Sequence, residues 1–189
     1  MLPPPLLFRY AAVEMREYYM QFAAQVGSRP AAWIVQSTDL DLETALGLLG
    51  TGQFAGIVAE GAAVQRLAAD HVCLAGDEAG VCEMRRAGAR GLLSAMACAI
   101  PELMVALVDA CRRGECERAG RLDALAREFD LRSREFAPLV AIKAAVGLRG
   151  ISTGDLPVPV APERAKRLDE FCEWFRGWLP AMTRMSANA

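Results

Sequence analysis

Residues 53–61 read Gln53-Phe54-Ala55-Gly56-Ile57-Val58-Ala59-Glu60-Gly61, and this stretch decides the fold. A short apolar run that is bounded by turn-forming glycines is typical of a strand buried on both faces of a sheet. A short helix is predicted to follow it through Val64 and Leu67. A strand that is followed directly by a helix indicates one unit of a parallel α/β sheet.

The alternation of short apolar runs with amphipathic helices extends to both sides of this strand. Apolar residues at three- and four-residue spacing predict a helix over residues 15–26, which Gly27 closes. Asp41 is expected to cap a second helix that Gly50 stops, and a further helix is predicted over about 78–86. Parallel strands are predicted at residues 5–8, 31–35, 54–58, 72–75 and 91–94.

After residue 94 the pattern changes to helices without a strand between them. Pro101 starts the first helix, and two more are predicted over about 115–129 and 134–146, the second ending at Gly147. Residues 156–160 are an extended linker, because residues before proline avoid helical backbone. The last helix carries an aromatic stripe that can be a packing face or a binding face, and residues 186–189 are expected to fray.

Composition favours one globular domain. The chain has 189 residues, 53% of them hydrophobic, and a net charge of −2, which excludes the basic surface typical of nucleic-acid binding. Its apolar runs are far shorter than the roughly 20 residues that cross a bilayer. Residues 1–5 lack the basic start and apolar core of a signal peptide. We therefore expect a cytoplasmic protein without nucleic-acid or membrane partners.

The cysteines do not form a metal-binding pattern. No two of them have CxxC spacing, and His71 is the only histidine, so we expect neither a metal nor another cofactor. Small buried thiols in a reducing compartment are the expected state, although Cys111 and Cys116 could pair under oxidation. The six cysteines are Cys73, Cys82, Cys98, Cys111, Cys116 and Cys172.

Several stretches carry a resemblance to one enzyme family. Residues 53–61 are similar to its sixth strand, 74–78 to its seventh strand and Gly-Asp turn, and 87–94 to its eighth strand. Residues 3–9, with the tyrosine-rich helix after them, look like strand four, and 142–145 resemble a Lys-Ala stretch in a C-terminal helix. In this order the motifs resemble the C-terminal part of the dihydrodipicolinate synthase/N-acetylneuraminate lyase family.

The resemblance implies an α/β fold, an incomplete (β/α)8 TIM barrel of about five parallel strands with a C-terminal helical extension. Residues 1–100 would form the partial barrel, and 101–189 the last barrel helix and the extension, within the same domain. A complete barrel needs roughly 200 to 250 residues. The family's first three strands and its Thr-Thr motif have no counterpart in the sequence, so we expect a truncated barrel.

The family's chemistry is an aldolase-type lyase reaction, in which a lysine forms a Schiff base with a pyruvate-type keto acid. The resemblance places that lysine at Val58, the tyrosine of strand five at Ile34, and the tyrosine of strand four at or near Leu7. An isopropyl group cannot form an imine. The only lysines, Lys143 and Lys166, lie in predicted helices far downstream. These three positions therefore predict a lost active centre, although ordinary buried strands contain the same residues.

Polar residues after two strands are the remaining pocket candidates. Asp77 and Glu78 follow a strand, where barrel enzymes place working groups, and they can bind a cation, act as acid and base, or cap a helix. Ser94 also ends a strand, and the resemblance places a residue there near the substrate. A serine without a histidine base is a poor nucleophile, so we regard Ser94 as a pocket residue rather than a catalytic one. Asp77 is the second pocket candidate.

Two functions remain open from the sequence. The first is a pseudoenzyme of the lyase family that binds a ligand or another subunit without catalysis. The alternative is an active lyase, acting on a pyruvate-type keto acid, whose barrel another chain completes. In both cases the two open edges of an incomplete sheet favour association, so the expected partners are a small keto acid and either a homo-oligomer or a chain that supplies the missing strands.

Overall fold

The computed structural model describes residues 10–26, 32–35, 40–76, 80–137, 139–156 and 159–187. The chain divides into two compact units. The first consists of Met1–Asp77 with Glu83–Leu93, and the second of Glu78–Cys82 with Ser94–Ala189. The first unit contains the sheet, and the second is helical.

The sheet of the first unit is parallel, as the sequence predicts. Its described strands are β1 (Ala32–Val35), β2 (Phe54–Ala59), β3 (Cys73–Ala75) and β4 (Gly91–Leu92), in the order β1-β2-β3-β4. The predicted strand at residues 5–8 lies outside the described residues. Strand β4 ends before Leu93, yet the Leu93 amide still donates to the Ala75 carbonyl at 2.8 Å.

Three helices of the first unit follow the predicted pattern, namely α1 (Ala12–Val26), α2 (Leu42–Leu49) and α3 (Ala63–Ala68). Asp41 caps α2, since its Oδ1 accepts from the Thr44 amide at 2.7 Å, and Gly50 ends the helix. Helix α4 (Val81–Arg86) begins three residues later than predicted because Gly80 has a φ of 75°, outside the helical region.

One face of the sheet forms the core of the first unit. Ile34, Ile57 and Cys73 are fully buried there, together with Tyr19 of α1 and Leu48 of α2. Burial raises the pKa of the Tyr19 phenol and of the Cys73 thiol above their ordinary values. Both groups therefore stay neutral, and they serve packing.

The second unit contains a 3-10 turn at Met96–Cys98 and four long helices. These are α5 (Pro101–Arg113), α6 (Cys116–Ser133), α7 (Val140–Leu148) and α8 (Pro162–Ala187). The predicted start of α7 at residue 134 is wrong, because Leu139 has a left-handed φ of 70° and the helix begins only after it. Gly147 lies inside α7 rather than ending it.

The C-terminal helix extends further towards the C-terminus than the sequence predicts. Ser186 was expected to fray, but it lies within α8, is buried, and its Oγ donates to the Met182 carbonyl at 2.9 Å. No described helix has the length and apolar character required to cross a membrane. The cytoplasmic location stays a prediction.

The aromatic stripe of α8 is a packing face. Phe129 of α6 lies at the centre of the cluster, with its ring centroid 5.8 to 6.4 Å from those of four aromatic residues on α8. The indole of Trp178 also donates to Glu128 Oε2 at 3.0 Å. The four residues are Phe171, Trp174, Phe175 and Trp178.

The prediction that all cysteines are free thiols is wrong. Cys82 and Cys111 form a disulfide, with their Cα atoms 5.3 Å apart, which is within the range that such a bond requires. Cys116, the partner that its spacing suggested for Cys111, is unpaired and exposed. Sequence spacing does not show this pairing, because the fold brings together residues that are 29 positions apart.

Candidate active site

Val58 lies in the middle of the sheet. Its Cα pairs with that of Val35 on one side and that of Leu74 on the other. The side chain is 3% exposed. A Cβ built on the neighbouring Gly76 would lie only 3.1 Å from Val58 Cγ1, so an alanine there would require Val58 to give by a few tenths of an ångström. The position at which the resemblance places the imine lysine is therefore occupied by a packed hydrocarbon side chain.

Ile34 does not share a site with Val58. Its Cα partner is Ile57, and successive residues of a strand point to opposite faces. Ile34 consequently belongs to the core that is covered by α1 and α2, while Val58 belongs to the other face. The residue of β1 in register with Val58 is Val35. Neither Ile34 nor Val35 carries a phenol.

Glu60 also lies on the Val58 face, which the sequence motifs did not indicate. It directly follows β2, two positions beyond Val58, and it is exposed. Its Cγ and Oε1 lie 3.3 and 3.4 Å from a Cβ built on Gly76, so its side chain lies across the end of β3. The signal was available, because a residue two positions along a strand returns to the same face.

Ser94 acts as a local cap. Its Oγ accepts from the Ala97 amide at 3.2 Å, at the entry to the 3-10 turn. This contact satisfies a backbone donor at the start of the turn. Leu7, Asp77 and Glu78 lie outside the described residues.

Neither lysine of the chain belongs to the sheet. Lys143 lies on α7, where its Nζ donates to the Asp155 carbonyl at 2.5 Å. Lys166 lies on α8 and is exposed. Both residues are in the helical unit. The described strands therefore present no amine to a carbonyl compound.

Comparison with known proteins shows the family of the chain. The model of the dihydrodipicolinate synthetase family matches residues 5–175. The chain belongs to this family. The resemblance found in the sequence motifs is thereby confirmed. Uncharacterized DapA-like lyases from two strains of Halobacterium salinarum are 29% identical to this family member over 153 residues. These residues are 76% of the chain and 50% of each relative, so the chain spans about half the length of the curated relatives it matches.

Solved structures of the dihydrodipicolinate synthetase family show the same fold. Dihydrodipicolinate synthase from Aquifex aeolicus has a TM-score of 0.81 at 14% identity, over 93% of this chain and 64% of that one. A catalytic lysine mutant of Ruminococcus gnavus sialic acid aldolase has a TM-score of 0.81 at 16% identity, over 95% and 65%. The α/β class is therefore confirmed, and the chain matches about two thirds of these folds.

Proposed function

We propose that this member of the dihydrodipicolinate synthetase family does not perform Schiff-base lyase chemistry by itself and acts as a binding or structural subunit. The observation that carries the proposal is Val58, a buried hydrocarbon side chain at the position where the resemblance places the imine lysine. A neutral amine must attack the keto carbon to form an imine, and valine has none.

The surroundings of Val58 support the same proposal. Val58 is 3% exposed and Gly76 packs closely against its isopropyl group, so a carbonyl compound has little access to this position. The residues that directly follow β2, β3 and β4 are Glu60, Gly76 and Leu93, and none of these described residues is cationic. A keto acid carries a carboxylate, which an exposed glutamate at the end of β2 repels.

A solved aldolase mutant supports the proposal that the fold persists without a catalytic lysine. The structure of the Ruminococcus gnavus catalytic lysine mutant has the same fold as this chain, with a TM-score of 0.81. In that protein the fold accommodates the change of its catalytic lysine. We propose that the barrel-type fold likewise persists in this chain, where Val58 contributes packing instead of chemistry.

Borohydride trapping tests the proposal. The protein is incubated with pyruvate and sodium borohydride, and its intact mass is measured. We expect no stable adduct, because Lys143 lies on α7, where its Nζ donates to a backbone carbonyl, and Lys166 lies on α8, so neither amine belongs to the sheet. The matched control is the double variant Lys143→Arg/Lys166→Arg. An adduct that peptide mapping places on either lysine, and that the double variant loses, would instead support a working lyase.

The partner of the proposed subunit is a second copy or a chain that supplies further strands. Within the described residues, β1 and β4 are the outermost strands, and Leu93 at the end of β4 is exposed. Sheet edges that offer unpaired backbone groups favour association. We expect light scattering to show an assembly larger than one chain, and a stable compact monomer would contradict this part of the proposal.

A further inference from the structure

The disulfide between Cys82 and Cys111 joins two helices that differ in length and in the number of buried side chains. Cys82 is the second residue of α4, and Cys111 lies in the last turn of α5. Both are half-buried, so the bond is neither sealed in the core nor fully open to solvent. A disulfide at such a position can exchange with an external thiol.

Helix α4 has few other anchors, namely the buried side chain of Val81 and the half-buried Met84, which packs against the core of the first unit. It has six residues, and among its described side chains only Val81 is fully buried. It packs sparsely against the other described elements. A helix this short is not stable without tertiary support, since most isolated helices need about 12 residues or more.

Helix α5 is the longer and more extensively packed helix of the pair. It has thirteen residues, begins at Pro101, and ends at Gly114, whose left-handed φ of 74° closes the helix. Its buried face includes Leu103, Met104 and Leu107, and it packs extensively against α6. The disulfide therefore attaches the start of a weak helix to a strong one.

The division of the chain into units shows what the disulfide holds. The short segment Glu78–Cys82 belongs to the helical unit, although the residues directly after it belong to the other unit. Cys82 is the last residue of that segment, and its bond to Cys111 lies within the helical unit. The covalent link thus holds the amino-terminal turn of α4 to the helical unit.

We propose that Cys82 and Cys111 form a redox-sensitive modification site, a latch that a dithiol reductant opens. In the opening step one thiolate of the reductant attacks a sulfur of the bond, and its second thiol resolves the mixed disulfide. Two electrons pass to the protein, which gains two thiols, and the reductant becomes a disulfide. A glutathione-type disulfide reverses the step. Opening frees the first turn of α4, which then unfolds locally. This inference does not depend on the proposed absence of lyase activity.

Limited trypsin digestion tests the latch, because α4 ends in two tryptic sites, Arg85 and Arg86. One sample is equilibrated with glutathione disulfide and the other is reduced with a phosphine. Both are alkylated, desalted and digested briefly. We expect cleavage after these arginines to be at least about tenfold faster in the reduced sample, because a bond closing a loop of this size strongly restricts the open state.

Variants separate the latch from the other thiols. Cys82→Ser is expected to show the fast cleavage in both samples, and Cys98→Ser, which removes an exposed free cysteine, is expected to keep the redox difference. If Cys82→Ser fails to fold, the cleavage rates of the oxidised and the reduced wild-type protein test the proposal without it. Equal cleavage rates in those two samples would overturn the proposal. So would alkylation of all six cysteines in protein that is denatured without any reductant, because the disulfide would then be absent.

Discussion

Gly76 lies so close to Val58 that a Cβ on Gly76 would be 3.1 Å from Val58 Cγ1. A contact of this length forces the neighbouring side chain or the strand to move. The pair thus reports whether the position at which the resemblance places the lysine is packed or open.

Gly76→Ala is expected to lower the free energy of unfolding by about 1–3 kcal/mol, the usual cost of overpacking a core. The measurement is urea denaturation. Adding Val58→Ala should recover part of the loss, which a double-mutant cycle quantifies. Gly47→Ala is the control, since nothing lies within 4 Å of that Cβ, and alanine in α2 should stabilise by about 0.5–1 kcal/mol. Full additivity of the two changes would show that the contact is absent.

Val58→Lys is expected to lower the free energy of unfolding by about 3 kcal/mol or more, because a buried ammonium lacks a partner. Burial would lower the pKa of the new amine, so the unfolded chain would hold more protons than the folded one. Stability of the variant should therefore rise with pH towards about 10. Val58→Met is the uncharged control, with a loss that does not depend on pH. Equal stability of the two variants at pH 7 would indicate a solvated pocket at this position.

Asp41→Ala is expected to cost about 1 kcal/mol at pH 7, because α2 loses its N-cap. The hydrogen bond from the Thr44 amide holds the pKa of the Asp41 carboxyl below its ordinary value. A lowered pKa gives a contribution that is present above about pH 3.9 and is lost as the pH falls through the lower folded value. The difference in the free energy of unfolding between wild type and Asp41→Ala should therefore disappear in that acidic range. Asp41→Asn should retain most of the cap without this pH dependence.

Arg149→Met is expected to lower the free energy of unfolding by about 1–2 kcal/mol, since it leaves the Glu102 carboxylate partly buried without its partner. Although burial raises the pKa of Glu102, the hydrogen bond and charge of Arg149 hold it below its ordinary value overall. The loss should therefore fade as the pH falls below about 4.3.

The control for this ion pair is Arg112→Met. Arg112 pairs with Asp109 on the surface of α5, with its side chain 64% exposed. An exposed pair of this kind contributes about 0–1 kcal/mol. Thermal melts of both variants provide the comparison, and equal losses would show that the Glu102 pair is no more than a surface contact.

Much of the architecture can be predicted from local patterns. The cap at Asp41, the stop at Gly50 and the start at Pro101 are all confirmed, because each depends on neighbouring residues alone. The start of α7 was missed, since a left-handed Leu139 has no local sequence signal. The disulfide was missed for a related reason: its partners meet only through the tertiary fold.

The candidate site was only partly predictable. Family motifs placed Val58 on a buried strand, and the structure confirms its burial. They placed Ile34 beside it, but a shift of one residue moves a side chain to the other face of a sheet. Register depends on how strands pair, which no single strand specifies. The motifs did not indicate Glu60, because the apolar pattern that marks β2 ends at Ala59, one residue before it.

The ring cluster between α6 and α8 also gives the protein an optical probe. Two of its three tryptophans, Trp174 and Trp178, lie there, and the Arg132 guanidinium lies 4.5 Å from the centre of the Trp174 ring. Because Trp33 lies on β1, the variant Trp33→Phe is needed for the remaining tryptophan emission to follow the helical unit alone, whereas Tyr19 lies on α1 in the first unit. Comparing tryptophan with tyrosine emission during denaturation then distinguishes the unfolding of the helical unit from the unfolding of the first unit.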